Sequence, residues 1–232
     1  MKRNAFTLVE ILSVVAIIAL LLAILLPILA SSRAKARETN CLSNLHQIGL
    51  ATFAYAQDYD DRFPLGGDAI DINKPGEWTG TDVYGKAILL KPLPEILNPY
   101  TKNSTIWHCP ADTGYERCGV NEDDYFDTRP SAFDKYGNSY LYNTDYVLHD
   151  EVFSGLQGLS KQPPFEERNA SQLVVFYDGI GKWHGGGFNS PPRFCAAFVD
   201  GHVKAVSQSD MQSALAVQFV GRPPAPHPSP PP

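Results

Sequence analysis

The chain has 232 residues, with 44% hydrophobic and 19% charged side chains and a formal net charge of −6. That length suits one compact domain with appendages. The acidic balance, without a long Lys/Arg cluster, argues against a nucleic-acid groove and so against a nucleic-acid partner. Four cysteines without a C-x-x-C spacing are too few for a disulfide scaffold.

The first element is apolar. From Phe6 to Ala30 the only polar side chains are Thr7, Glu10 and Ser13, a run of 25 residues where about 20 span a bilayer. Lys2 and Arg3 precede it; Arg33, Lys35 and Arg37 follow it. A secretory signal peptide has a shorter apolar stretch and a small-x-small cleavage site, which Ile28-Leu29-Ala30 does not supply. A plain membrane anchor fits the length. It leaves Glu10 unexplained, because a carboxylate inside a spanning helix costs about 3 kcal/mol by insertion scales. Pro27 sits late in the run, where a membrane helix tolerates proline as a kink.

Lys-Arg-Asn-Ala followed by Phe-Thr-Leu-Val-Glu-Ile resembles the class III leader of type IV pilins and type II secretion pseudopilins. The resemblance implies a prepilin peptidase cut between Ala5 and Phe6 and N-methylation of Phe6. The family's usual glycine before the cut is Ala5 here. It also gives Glu10 a purpose: its carboxylate neutralises the exposed amine of a neighbouring subunit. A contact of that heterologous kind, repeated without closing, builds a filament. Implied partners are the peptidase, other pilin or pseudopilin subunits, the inner-membrane assembly machinery and membrane lipid.

Next, Cys41, Leu42, Leu45, Ile48, Gly49, Thr52 and Ala56 recur at spacings of three and four, an amphipathic continuation of the helix. Gly49 on that stripe would admit a second backbone. The helix should stop at Asp58–Asp61, before Pro64. From Phe6 to Gln57 it would measure roughly 78 Å. The stretch CLSNLHQIGLA…Y…DYD…FP, with Asn44, Gln47, Tyr55 and Asp58, is similar to planctomycete-type prepilin-like proteins that end in an H-X9-DG motif. Its polar residues read as a solvated face and cap, or as contacts to a sheet or neighbour.

Residues 64–106 are rich in Gly, Pro and Asp and read as connections. IWHCPAD (106–112) matches a Phe/Trp-x-Cys-Pro-x-Asp stretch of the same subfamily. NSYLYNTDYVL (138–148) is β-prone, 149–170 reads as a loop, and LVVFYDG (173–179) as a buried strand ending in a turn. In FCAAFVDGHVKAV (194–206) two β-prone runs flank Asp200-Gly201, a pair suited to a type I′ hairpin turn. The proline-rich end is an extended tail.

A long helix followed by antiparallel strands is an α+β order, with the helix across a sheet; the pilin fold has it. The expected parts are a leader at 1–5, a transmembrane or filament-core helix at 6–30, its amphipathic continuation at 31–63, a globular domain at 64–220 and a tail at 221–232.

The chemistry is thin. His184-Gly185-Gly186-Gly187 can form an oxyanion hole in esterases, yet no G-x-S-x-G elbow occurs, so no enzyme is expected. With Asp200-Gly201, His184 resembles the H-X9-DG element at an interval of fifteen rather than nine residues. Cys109 and Cys118 suit a short disulfide loop worth about 2–3 kcal/mol on the entropy model. Cys41 with Cys195 is a second pairing, among three connectivities open to four cysteines. Zinc on His108, Cys109 and Cys118 lacks normal ligand spacing. Calcium on Asp58, Asp60 and Asp61, or on 121–124, has oxygen ligands but no EF-hand pattern. Expected function is a structural pilin or pseudopilin subunit, single-pass in the inner membrane, N-terminus cytoplasmic and C-terminal domain periplasmic or extracellular. The alternative is a membrane-anchored exported binding protein that does not polymerise.

Overall fold

The computed structural model describes residues 7–74, 84–118, 124–144, 170–185 and 191–219. The leader with Ala5 and Phe6, residues 121–123, most of the 149–170 loop and the proline-rich tail lie outside these residues.

Helix α1, Leu8–Asp58, is 51 residues long, or about 77 Å of axis. It runs through Pro27 without a break in its helical assignment. Every described side chain before Glu38 is exposed to the chain's surroundings. From there Glu38, Cys41, Leu45, Ile48, Ala51, Thr52 and Ala56 are buried, which is the amphipathic stripe the spacing predicts. Gly49 has open space: a Cβ built there meets nothing within 4 Å among the described residues. The helix ends as predicted, with Tyr59 as C-cap and Asp60 and Asp61 at φ 53° and 58°. Asp tolerates the left-handed region better than most residues because its short polar side chain bonds locally.

Short pieces follow. β1 (Gly66–Gly67) pairs parallel with β2 (Lys91–Pro92). Around them lie α2 (Ala69–Asn73), α3 (Tyr84–Ala87) and α4 (Leu93–Thr101). Asp68 caps α2 by accepting from the Ile70 and Asp71 amides. A 3-10 turn at Ser104–Trp107 leads to Cys109. β3 (Arg117–Cys118) and β4 (Asp124–Tyr125) form a small antiparallel pair, and α5 (Ala132–Tyr136) follows.

The principal sheet is antiparallel and ordered as in the chain: β5 (Tyr140–Tyr142), β6 (Val174–Asp178), β7 (Arg193–Phe198) and β8 (Val203–Ser207). Period two on β7 sorts its side chains. Cys195, Ala197 and the following Val199 join Cys41, Leu45 and Ile48 of α1 in the main core. Phe194, Ala196 and Phe198 face the other way, with Val206 and Met211 of α6 (Gln208–Phe219). β6 shifts register between Val174 and Phe176. Val174 packs on the α6 side while Val175 and Phe176 both reach the α1 core, as a bulge allows. The shift leaves Asp178, two residues beyond Phe176, on the α1 side of the sheet.

The β7–β8 hairpin falls at Asp200-Gly201 as the sequence predicts, but its turn is of another kind. The Phe198 amide donates to the His202 carbonyl, and the Gly201 amide to the Phe198 carbonyl. The loop therefore has three residues, Val199 to Gly201, with Gly201 alone at positive φ (87°), where a type I′ turn needs two such residues. This is a type I turn closed by a left-handed glycine. A Cβ on Gly201 would also come within 3.0 Å of the Phe53 ring on α1.

Candidate functional site

Two places stand out, one at each end of the molecule's polarity scale. The first is the start of α1. Thr7 is its N-cap, and Glu10 Oε2 accepts from the Thr7 amide (2.8 Å) and the Thr7 hydroxyl (2.9 Å), while Thr7 Oγ1 accepts from the Glu10 amide (3.3 Å). This is a capping box. T-x-x-E at the head of an apolar run carries that signal in the sequence, and it is a role for Thr7 beside the expected role of Glu10. Sixteen large apolar side chains, from Leu8 (81% exposed) to Leu29 (42%), line the first half of the helix and are exposed among the described residues.

The second place is buried where α1 crosses the sheet. Cys41 and Cys109 form a disulfide across 68 residues of sequence. This corrects both predicted pairings. Cys109 does not bond Cys118, and Cys195 is a free, buried thiol. The nine-residue spacing favours local loop closure, but the fold sets Cys109 against the α1 stripe, where Cys41 is fully buried. The side chain of Cys118 lies outside the described residues.

His184 enters the same pocket of the core. Its imidazole is fully buried, with Nε2 3.2 Å from Asp178 Oδ2 and 3.3 Å from Cys109 Sγ. Asp178 Oδ2 also accepts from the Cys195 amide at 3.0 Å. Burial holds the Asp178 carboxyl well above the usual carboxylate range, against the lowering pull of that amide. Burial also drives the His184 pKa down to about 4. Both directions disfavour the charged forms at this contact. Burial, then Asp178, pushes the Cys195 thiol up. Asp178 Oδ1 and His184 Nδ1 have no hydrogen-bond partner among the described residues.

His184 thus partners Asp178. Asp200, at the hairpin tip, accepts from the His202 amide (3.1 Å) and lies 2.5 Å from His202 Nδ1. The glycine after His184 serves packing: a Cβ on Gly185 would overlap the Pro191 carbonyl at 2.0 Å. His108 stacks on Phe133 with centroids 4.7 Å apart. Asp58 accepts from the Tyr100 hydroxyl at 2.8 Å.

Other polar residues of the quoted stretches hold the fold. Asn44 donates to the His108 carbonyl (2.8 Å), which ties α1 to the segment around Cys109. Tyr55 stacks on Tyr59 at 4.2 Å. Gln47 donates within the helix, to the Ser43 carbonyl. Asp112 of the IWHCPAD stretch accepts from the amides of Gly114, Ala132 and Phe133 and from the Ser139 hydroxyl. That hydroxyl in turn accepts from the Cys109 amide. Asp112 is a structural knot that sequence reasoning missed.

Residues 1–26 match a family model described as the prokaryotic N-terminal methylation motif. Residues 30–89 match one described as a protein of unknown function, DUF1559. No curated protein and no solved structure matches the chain. The long helix, the antiparallel sheet and the two matches together support a type IV pilin-like prepilin protein. The motif supports a pilin-type precursor processed by prepilin peptidase, and with the bare apolar helix it points to a membrane-anchored, pilus-type protein. Both matches end before Cys109, so the buried His184 cluster lies outside them.

Proposed function

We propose that the chain is a non-enzymatic filament subunit of a type IV pilus or a type II secretion pseudopilus. It enters the inner membrane with Lys2 and Arg3 on the cytoplasmic side. Prepilin peptidase cuts between Ala5 and Phe6, and the new Phe6 amine is methylated. The first half of α1 then moves from lipid into the filament core, with Pro27 supplying local give. The domain built on the second half is displayed outside. Glu10 sets the register by neutralising the amine of the next subunit, exchanging its contacts to Thr7 for that charge.

The observation that carries the reading is the bare first half of α1. A stretch of that length and hydropathy, with none of its 18-residue window buried, needs lipid or like helices around it. Heterologous packing of like helices propagates without closing.

Mass spectrometry of the N-terminal peptide from native membranes tests the first step: the expected peptide starts at N-methyl-Phe6. A peptide retaining Met1 would sink the processing claim. Glu10→Ala should leave cleavage intact and abolish or strongly reduce filaments recovered by shearing. Unimpaired filaments would remove Glu10 from the assembly mechanism and favour the anchored, non-polymerising alternative.

A further inference from the structure

We propose that Asp178, His184 and Cys195 form a binding site for one zinc-class divalent cation, which closes while the Cys41–Cys109 disulfide is intact. One ligand atom from each residue lies within 4.8 Å of the others. The three come from different places in the chain: the end of β6, the connection after it, and the third residue of β7. The register shift in β6 is what turns Asp178 to the same side of the sheet as Cys195.

The donor set is that of zinc: one thiolate, one imidazole, one carboxylate. Bonds of about 2.0–2.1 Å from a tetrahedral ion to nitrogen and oxygen set those two atoms about 3.3 Å apart. Nε2 of His184 and Oδ2 of Asp178 are 3.2 Å apart. Both side chains are fully buried, and Asp178 Oδ1 and His184 Nδ1 go unmatched among the described residues. An unmade hydrogen bond at that depth is costly, and a carboxylate that turns both oxygens to an ion removes one of the two. The fourth position falls to Asp178 Oδ1 or to water. Cys109 Sγ, 3.3 Å from Nε2, is a neutral disulfide sulfur and walls the site on the α1 side.

Charge balances as well. Binding releases the Cys195 thiol proton and the Asp178 carboxyl proton to solvent. The ion's two positive charges then meet one thiolate and one carboxylate, with His184 neutral. A buried site of zero net charge avoids the penalty of an isolated ion. The same ion accounts for a free thiol beside a disulfide in an exported domain, since metal-bound sulfur is withheld from oxidation and exchange.

The test uses the full chain in detergent, stripped of metal, with the Cys41–Cys109 bond verified by non-reducing peptide mapping. Zn2+ and Co2+ are titrated separately. Expected are one equivalent bound, a thiolate-to-cobalt charge-transfer band with tetrahedral d–d bands, and protection of Cys195 from alkylation that a chelator reverses. Cys195→Ser, nearly isosteric and with the disulfide retained, should lose the charge-transfer band and bind more than about tenfold more weakly. Asp178→Asn should weaken binding while keeping that band. No stoichiometric binding overturns the proposal. So does binding unchanged in Cys195→Ser. Uptake only after reduction also overturns it, because it would place the metal on Cys41, Cys109 and His184 instead.

Discussion

The two halves of α1 share one unbroken helix and almost nothing else. Before Glu38 every described side chain is exposed. After it, side chains at spacings of three and four vanish into the core, with Cys41, Leu45 and Ile48 fully buried. In the first half no tertiary contact shapes the helix among the described residues, and the capping box fixes where it starts. In the second half the sheet and a covalent bond fix it. One element can therefore belong to two environments, provided that its apolar residues run all round in one half and keep to a stripe in the other.

Substitutions can test how sharp that division is. The largest effect on the domain should come from Cys41→Ser. Opening a 68-residue crosslink costs about 4 kcal/mol on the chain-entropy model, read as a lower midpoint in thermal or denaturant unfolding. If the shift is no greater than about 1 kcal/mol, the core alone holds the second half. Leu45→Ala should cost about 2–5 kcal/mol as a fully buried deletion. Leu21→Ala, on the bare half, should change domain stability by less than about 0.5 kcal/mol and show itself only in the yield of filaments. Equal effects on unfolding would erase the distinction between the halves. Between Leu45→Ala and Leu21→Ala falls Gly201→Ala, which forces a Cβ at φ 87° against Phe53; about 1–2 kcal/mol is expected. Opposite in sign is Gly49→Ala. With open space around the position, helix propensity predicts a gain of up to about 1 kcal/mol. A loss in assembled filaments with that gain in the isolated chain would place a neighbouring subunit at Gly49.

What the sequence disclosed follows the range of each signal. Periodicity is local, so the stripe on α1, the β6 strand and the β7–β8 hairpin were legible. The capping box is written in the sequence too, as Thr7 and Glu10 three residues apart at the head of the apolar run. Asp200-Gly201 marked a turn but not its type, because that depends on whether Phe198 pairs with His202. Pairings set by tertiary paths were hidden. Cys41 meets Cys109 only because α1 crosses the sheet, and His184 meets Asp178 only because a bulge turns the strand. Spacing suggested Cys118 as the partner of Cys109 and named none for His184, and spacing has no knowledge of either event.

The position of the disulfide has a mechanical meaning. Suppose that a filament is stretched, with each subunit held by the first half of α1 and pulled through its outer domain. Tension travels up the helix and meets the Cys41–Cys109 bond barely one turn after burial begins at Glu38. It crosses there directly to Cys109, so residues 42–108 drop out of the covalent line of force. The rest of α1 and the small elements around β1 and β2 then ride as an unloaded loop. Such a subunit yields at its sheet or at its filament contacts before its helix can be peeled from its domain.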